Sequence, residues 1–190
     1  MASESFSADR LHDRLEIQHR VNQFCRAIDR LDLEELREVY HADGYDDHGA
    51  YQGDVDGFIE WVRGRHEQIA FSSHHITNTL IEFVSDDSAF VETYFLAWQS
   101  VNPNAMPPSG AASGGDQGAV EAISSGRYAD HFVRKDGRWA IQTRTAIPGS
   151  LVAMTEGLHP GSMPPGAPQG SRDENDPAER LRLRLGLGRP

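Results

Sequence analysis

Two adjacent histidines, His74 and His75, open a β-branched and apolar run in the stretch FSSHHITNTLIEFV. Successive residues of a strand point to opposite faces of the sheet, so one imidazole can face an interior while the other faces outward. An interior imidazole held by a carboxylate on one ring nitrogen has a fixed tautomer, and its other nitrogen is free to accept a proton from a ligand. The two histidines therefore indicate a candidate acid/base residue, whose carboxylate partner must come from elsewhere in the chain.

The segment GYDDHG, residues 44–49, carries a second group of polar side chains. Tyr45 could hydrogen-bond a substrate carbonyl and polarise it, and His48 could bind substrate beside it. The alternative is that the segment is a solvated loop. A metal site is conceivable from ligand type, but the spacing matches no defined motif and we predict no metal; its ligands would be His41, Asp43, Asp46, Asp47 and His48.

Aromatic and charged side chains on later segments are candidates for the lining of a pocket. Tyr94 and Trp98 share one face of a predicted strand, and Tyr128 and Asp130 share a face of the next. Such residues pack a core more often than they line a pocket. Arg144 could hold a substrate carboxylate or oxyanion, or it could pair with Asp130. Trp61 and Phe58 could close a pocket mouth or bury the helix that carries them.

The elements that must position these residues are predicted in the order α then β. Apolar residues at helical spacing predict helices over residues 9–30, 33–41 and 56–69, with Asp32 as N-cap of the second and Glu35 completing its capping box. Residues 42–57 are dense in Gly and Asp and predict a loop or a short irregular strand. Four β-rich segments follow, separated at two points by the turn signals SDDS and KDGR. Helices followed by antiparallel strands indicate an α+β fold.

The remaining segments and the composition limit the function further. Residues 102–118 predict a mobile hairpin loop, and residues 151–190 an extended or disordered tail after a domain over 1–150; within the tail, RLRLRLGLGRP could add as an edge strand, form a short helix or remain disordered. A net charge of −11, from 29 acidic and 18 basic residues, argues against a nucleic-acid or membrane partner. Cys25 is the only cysteine, which agrees with a cytoplasmic location.

Four stretches of the chain together carry a family resemblance. They are RLEIQHRVNQFCRAIDRLDLEELREVYHAD, DDHGAYQG, SSHHITNTLIEFVSDDSAFVETYF and GRYADHFVRKDGRWAIQTR. In this order and spacing they resemble the SnoaL-like branch of the nuclear-transport-factor-2-like superfamily over residues 9–147. The resemblance implies a cone-shaped α+β barrel, in which N-terminal helices pack on a curved antiparallel sheet and leave a deep apolar pocket.

The resemblance also implies a partner for one histidine. The superfamily includes scytalone dehydratase, bile acid 7α-dehydratase and hexachlorocyclohexane dehydrochlorinase, in which an Asp ending the first helix pairs with a His starting the first long strand. AIDR places Asp29 at the first position and SSHHITN places His74 at the second. Under strict alternation Asn78 and Leu80 would share the face of His74, while His75 points outward. The alternative is a buried salt link with no catalytic role.

The resemblance implies a cofactor-independent lyase of dehydratase type, which acts on a hydrophobic cyclic, polyketide-like or steroid-like molecule. Asp29 and His74 would be catalytic, and the substrate-binding candidates are Tyr45, His48, Trp61, Asn78, Tyr94, Tyr128, Asp130 and Arg144. An isomerase or cyclase on a similar substrate is an alternative, as is a non-catalytic ligand-binding or assembly subunit like the β subunits of ring-hydroxylating dioxygenases. Related proteins assemble as dimers or trimers, so we expect a homo-oligomer.

Overall fold

A computed structural model of the chain describes residues 7–102, 120–154, 168 and 170–187. The chain divides into two compact units, Met1–Thr155 and Glu156–Pro190. In its described residues the first unit contains three helices and six strands: α1 (Ala8–Arg30), α2 (Leu33–Glu38), β1 (Tyr40–Asp47), β2 (Gln52–Asp54), α3 (Val55–His66), β3 (Ile69–Ser85), β4 (Ser88–Val101), β5 (Val120–Lys135) and β6 (Arg138–Met154). The second unit contains α4 (Pro177–Arg184). No helix in the described part of the chain is both long and apolar enough to cross a membrane.

The junction between α1 and α2 forms as the sequence predicts. Leu31 follows α1 in the left-handed conformation, with φ of 55°, and ends the helix. The side chain of Asp32 then accepts a hydrogen bond of 3.0 Å from the backbone N–H of Glu35 and starts α2. These two adjacent caps fix the end of α1, and they leave Asp29 in its last turn.

The six strands form one open, mixed sheet in the order β2-β1-β6-β5-β4-β3. β1 pairs with β6 in parallel, and the other four pairs are antiparallel. A parallel pair requires a crossover rather than a hairpin, and the chain between β1 and β6 supplies it. The predicted α+β fold, with helices packed on a curved sheet, is confirmed.

The segment predicted as a loop or short irregular strand, residues 42–57, is more regular than its composition indicates. Most of it belongs to β1 and β2, and the predicted second and third helices end earlier than expected, at Glu38 and His66. Long-range pairing with β6 overrides the local turn propensity of Gly and Asp. Gly44 fits this pairing because a Cβ atom there would lie 2.9 Å from the carbonyl oxygen of His41.

Both predicted hairpin turns are present. Asp86 and Asp87 connect β3 to β4, while Asp136 and Gly137 connect β5 to β6 with φ of 53° and 77°. Two successive positive φ angles match the twist of a tight hairpin. The predicted loop at 102–118 lies, apart from Asn102, outside the described residues. In the tail, the short helix is the alternative that occurs, since α4 begins after the N-cap Asp176.

The core lies between the inner face of the sheet and the helices. Its largest fully buried side chains include Phe24 on α1, Phe58 on α3 and Trp139 on β6. Burial of each such side chain contributes about 1.5–3 kcal/mol. The carboxylate of Asp29 accepts hydrogen bonds from β3, so the last turn of α1 is fastened to the sheet at the edge of this core.

Candidate active site

The side chains of Asp29 and His74 are hydrogen bonded. Oδ1 of Asp29 lies 2.6 Å from Nδ1 of His74, and Oδ2 accepts a 2.7 Å bond from the backbone N–H of the same residue. Ser72 Oγ donates a further 2.7 Å bond to Oδ1. Because the carboxylate holds Nδ1–H, Nε2 carries the lone pair of the neutral imidazole. No described residue hydrogen-bonds Nε2, so that atom is available to a ligand.

The Asp29 carboxylate is ionised in this environment. The side chains of His74 and Asp29 are 7% and 15% exposed. Burial alone would raise the pKa of Asp29, but the hydrogen bonds from His74 and Ser72 and the attraction of the imidazole lower it below its ordinary value. The carboxylate can therefore stabilise a positive charge that develops on His74 when its ring accepts a proton.

A chain of hydrogen bonds orients the Asp29 carboxylate from the side of β4. Gln99 Nε2 donates to Ser72 Oγ at 3.3 Å, and Arg65 Nη2 donates to Gln99 Oε1 at 3.3 Å. The hydroxyl of Ser72 accepts from Gln99 and directs its own proton to Asp29. Sequence reasoning missed both Ser72 and Gln99. Alternation could have found Ser72, which precedes His74 by two residues and so shares its face.

Replacing Ser72 by alanine tests this orientation. Asp29 loses one of the hydrogen bonds that lower its pKa, so we expect that pKa to rise and the free energy of unfolding to fall by about 1.5–3 kcal/mol at neutral pH. The lowered pKa makes Asp29 stabilising above its unfolded pKa, and this contribution disappears as the pH falls through the folded pKa. In the variant this loss should be complete at a higher pH, because the folded pKa is higher while the unfolded pKa is unchanged.

Carboxyl carbon NMR titration measures the Asp29 pKa, and urea unfolding at several pH values measures the stability. Ser73→Ala is the matched control, since Ser73 Oγ lies 3.1 Å from Nε2 of the exposed His75 and does not contact Asp29. An Asp29 titration that is the same in Ser72→Ala and in the wild type would contradict the assignment.

An aromatic pair stands beside His74. The ring of Phe95 lies 6.2 Å from the imidazole and stacks on Tyr128 at 4.5 Å and 17°. Gly126 on β5 allows this stacking, because a Cβ atom there would lie 2.8 Å from Phe95 Cζ and 2.7 Å from the carbonyl oxygen of Ile147. The pair extends an apolar surface from His74 toward the core.

Arg144 pairs with Asp130, which is the second of the two roles considered for it. Nε and Nη2 of the guanidinium each lie 2.7 Å from a carboxylate oxygen, and both side chains are completely buried. The guanidinium also lies 4.0 Å from the ring centroid of Phe24 and 4.1 Å from that of Tyr128. Burial would lower the pKa of Arg144, but the charge of Asp130 raises it well above its ordinary value. A permanent cation therefore lies inside the unit.

The GYDDHG segment folds inward in part. Asp46 is fully buried and accepts a 2.6 Å hydrogen bond from the hydroxyl of Tyr40. Its other oxygen is hydrogen bonded to Nδ1 of His48, whose ring stacks on Phe58 at 4.9 Å and lies 5.8 Å from Trp61. Two predicted site residues, His48 between β1 and β2 and Trp61 on α3, are thus brought together.

The side chains considered for a metal site have other partners. Nε2 of His41 lies 2.8 Å from the carbonyl oxygen of Val133, and Asp43 forms an ion pair with Lys135. Asp47 accepts a 2.9 Å hydrogen bond from the backbone N–H of Gly49. Among the described residues, no group of three or more His, Cys, Asp or Glu side chains converges as metal ligands would.

Three predicted site residues, Tyr45, Tyr94 and Asn78, are exposed. Tyr45 is 43% exposed and Tyr94 is 40% exposed. Tyr94 and its neighbour Phe95 point to opposite faces of β4, and both line a pocket of about 400 Å³. Asp29 and His74 are not among the residues that line this pocket, which include Thr77, Leu96, Arg127 and Ile147.

Asn78 lies on the exposed side because β3 contains a bulge. The pairing of β3 with β4 shifts by one residue between Ile76 and Thr79. His74 and Ile76 face inward before the shift, and Ile81 faces inward after it, while Leu80 is 54% exposed. The prediction of strict alternation along β3 is therefore wrong beyond Ile76.

Comparison with known proteins identifies the fold. The model of the family described as SnoaL-like domain matches residues 9–145. A hexachlorocyclohexane dehydrochlorinase (LinA) of type 2 is 19% identical with a TM-score of 0.67, over 83% of this chain and 97% of that one. A protein assigned as a scytalone dehydratase from Novosphingobium aromaticivorans is 20% identical with a TM-score of 0.61, over 78% and 91%. No curated protein matches the sequence. At these identities the structural likeness shows the fold.

Proposed function

Because the chain belongs to the SnoaL-like domain family, we propose that it is a cofactor-independent lyase of dehydratase type that uses Asp29 and His74 as its acid/base pair. The observation that carries this proposal is the 2.6 Å contact between Asp29 Oδ1 and His74 Nδ1, which leaves Nε2 as the proton acceptor. The names of the similar structures, a dehydratase and a dehydrochlorinase, support elimination as the reaction class. The proposed substrate is a hydrophobic cyclic β-hydroxy carbonyl compound, polyketide-like or steroid-like.

The proposed step needs only the two side chains. Nε2 of His74 removes a proton from the carbon beside the carbonyl, the C–H electrons form the double bond, and the bond to the hydroxyl group breaks. The imidazolium returns the proton to the leaving oxygen, so water is released and His74 is neutral again. Asp29 remains ionised and stabilises the imidazolium. A positioned base of this kind contributes about 10²–10⁴ to the rate.

The outer face of the sheet supports a proposal about assembly. Tyr94, Leu96 and Trp98 on β4 point outward and are 40%, 44% and 40% exposed. Apolar side chains at this density are typical of a surface that a partner covers. We therefore propose a homo-oligomer, a dimer or a trimer. The same surface favours the second candidate function, a non-catalytic assembly subunit with a structural Asp29–His74 pair.

Two small probes test the enzymatic proposal. Nitrobenzisoxazole opens to a coloured cyanophenolate when a base removes its ring proton, and the aldol adduct of benzaldehyde and acetone is a β-hydroxy ketone that loses water to an absorbing enone. We expect the wild type to accelerate both reactions and the double variant Asp29→Asn, His74→Ala to accelerate neither. Acceleration that persisted in the double variant would remove the pair from the mechanism. A wild type inert toward both probes and toward a panel of larger cyclic β-hydroxy ketones would favour the assembly subunit.

A further inference from the structure

A second carboxylate and imidazole, Asp46 and His48, form a pair of the same kind as Asp29 and His74. We infer that His48 is a second proton-transfer group of the proposed elimination, which protonates the leaving hydroxyl while His74 removes the carbon-bound proton. The inference rests on the proposed function and deepens it. It assigns acid and base to different residues and requires a substrate whose leaving oxygen needs a proton.

The ring of His48 is held in one orientation. Tyr40 donates a 2.6 Å hydrogen bond to Oδ2 of Asp46, and Oδ1 of the same carboxylate is hydrogen bonded to Nδ1 of His48. Asp46 is completely buried, so its carboxylate cannot turn toward water. Phe58 supports the ring from one side, at 4.9 Å and 25°. The imidazole can therefore neither rotate nor exchange its Nδ1 contact without disturbing a buried carboxylate.

The remaining nitrogen of His48 is accessible. No described residue hydrogen-bonds Nε2, and the side chain is 14% exposed. Nδ1–H faces the carboxylate, so Nε2 accepts a proton when the ring is neutral and donates one when the ring is protonated. This is the same division of roles between the two ring nitrogens as in His74.

The two imidazoles stand at opposite ends of one aromatic group. His48 lies 6.0 Å from Tyr128, Tyr128 stacks on Phe95 at 4.5 Å, and Phe95 lies 6.2 Å from His74. A flat apolar substrate that lies along the edges of these two rings is placed between the two imidazoles. The arrangement suits a cyclic β-hydroxy carbonyl molecule whose acidic C–H group faces His74 while the hydroxyl on the adjacent carbon faces His48.

Protons and electrons are conserved in the step with two imidazoles. Neutral His74 takes the proton from carbon, the C–H electrons form the double bond, and the carbon–oxygen bond breaks with its electrons on oxygen. Protonated His48 supplies the proton that converts the leaving hydroxide into water. His74 is then protonated and His48 neutral, and exchange of one proton each with solvent restores the starting state. No metal, oxidant or other reactant is required.

The two probes separate this role from a structural one, because only one of them needs an acid. The cyanophenolate that leaves nitrobenzisoxazole is a stable anion, whereas the β-hydroxy ketone must release hydroxide or water. We expect His48→Gln to retain the nitrobenzisoxazole reaction within about twofold and to lower kcat for dehydration of the β-hydroxy ketone by about 10²-fold or more with little change in KM. Glutamine keeps a side-chain donor for Asp46 but cannot carry a proton.

The outcomes distinguish a proton-transfer role of His48 from a purely structural one. Equal losses with both probes, restored by a histidine-free variant that satisfies Asp46 such as His48→Asn, would show that His48 only packs and would overturn the inference. Dehydration by His48→Gln at the wild-type rate would overturn it too, while leaving His74 and the proposed function intact. Of the two single variants His48→Gln and His74→Ala, we expect His74→Ala alone to lose the nitrobenzisoxazole reaction. A His74→Ala variant that kept this reaction would count against the proposed function itself.

A second measurement needs no turnover. Imidazole nitrogen NMR of the full chain should show neutral His48 with its proton on Nδ1, and Asp46→Asn should change the signals of His48 while those of His74 stay unchanged. A neutral His48 that carries its proton on Nε2 would show that Asp46 does not orient the ring, and would overturn the inference.

Discussion

Replacing His74 by alanine is expected to slow the opening of nitrobenzisoxazole by about 10²–10⁴, the contribution of one positioned general base. The variant removes Nε2, which is the proton acceptor in the proposed step. It retains the backbone N–H of residue 74, which donates a 2.7 Å hydrogen bond to Asp29 Oδ2, and the bond from Ser72 is also unaffected. The chain should therefore fold, with Asp29 still held at the end of α1.

A substitution at the next residue, His75, is the control. His75→Ala removes an identical side chain from the exposed face of β3, so the rate should stay within about twofold of the wild type. Stopped-flow or steady-state absorbance measures the rate, and thermal melting shows whether both variants are folded. A folded His74→Ala that opened the probe as fast as His75→Ala would exclude His74 as the base.

Replacing Arg144 by methionine should have the largest effect on stability. The substitution leaves the carboxylate of Asp130 completely buried without the two 2.7 Å hydrogen bonds that compensate its charge. Removal of one partner from such a pair destabilises proteins by about 3–5 kcal/mol. The contacts of the guanidinium with the rings of Phe24 and Tyr128 are lost as well. Urea unfolding at neutral pH measures the loss.

A double variant identifies the cause. In Asp130→Asn, Arg144→Met neither residue of the pair leaves an uncompensated buried charge, so we expect it to be more stable than Arg144→Met alone. If both variants were equally unstable, lost packing rather than an uncompensated carboxylate would be responsible. An Arg144→Met protein whose free energy of unfolding lay within about 1 kcal/mol of the wild-type value would contradict the importance of the pair.

Local signals predicted much of the first unit. Asp32 caps α2 because a carboxylate accepts from the free N–H groups of a first turn, and Asp136–Gly137 forms a hairpin because both residues tolerate positive φ. The contact of Asp29 with His74 was implied only by the family resemblance. The residues are 45 apart in sequence, and nothing in either local stretch specifies the other.

Long-range pairing explains what the sequence did not predict. β1 forms in a Gly- and Asp-rich segment because β6 supplies its backbone partners. No local sequence pattern predicts this pairing, since β6 lies at the far end of the domain. Asp46 was considered only as a metal ligand, whereas burial against Tyr40 and His48 makes it an orienting carboxylate. Gln99 reaches Asp29 only through Ser72, a relation that spans two strands and a helix.

The bulge in β3 allows one strand to contribute inward-facing residues both to the candidate site and to the core. His74 and Ile81 are seven residues apart and would lie on opposite faces of a regular strand, yet both face inward. The extra residue at the bulge shifts the alternation of side chains by one position. The residues beside the site and the residues that pack the core can therefore both face inward. If β3 kept its length but paired with β4 without the bulge, only one of these two side chains could face inward. Deleting one residue at Thr77 or Asn78 would instead place them six residues apart, on the same face of a regular strand. The bulge thus determines whether the imidazole contacts Asp29 or faces water.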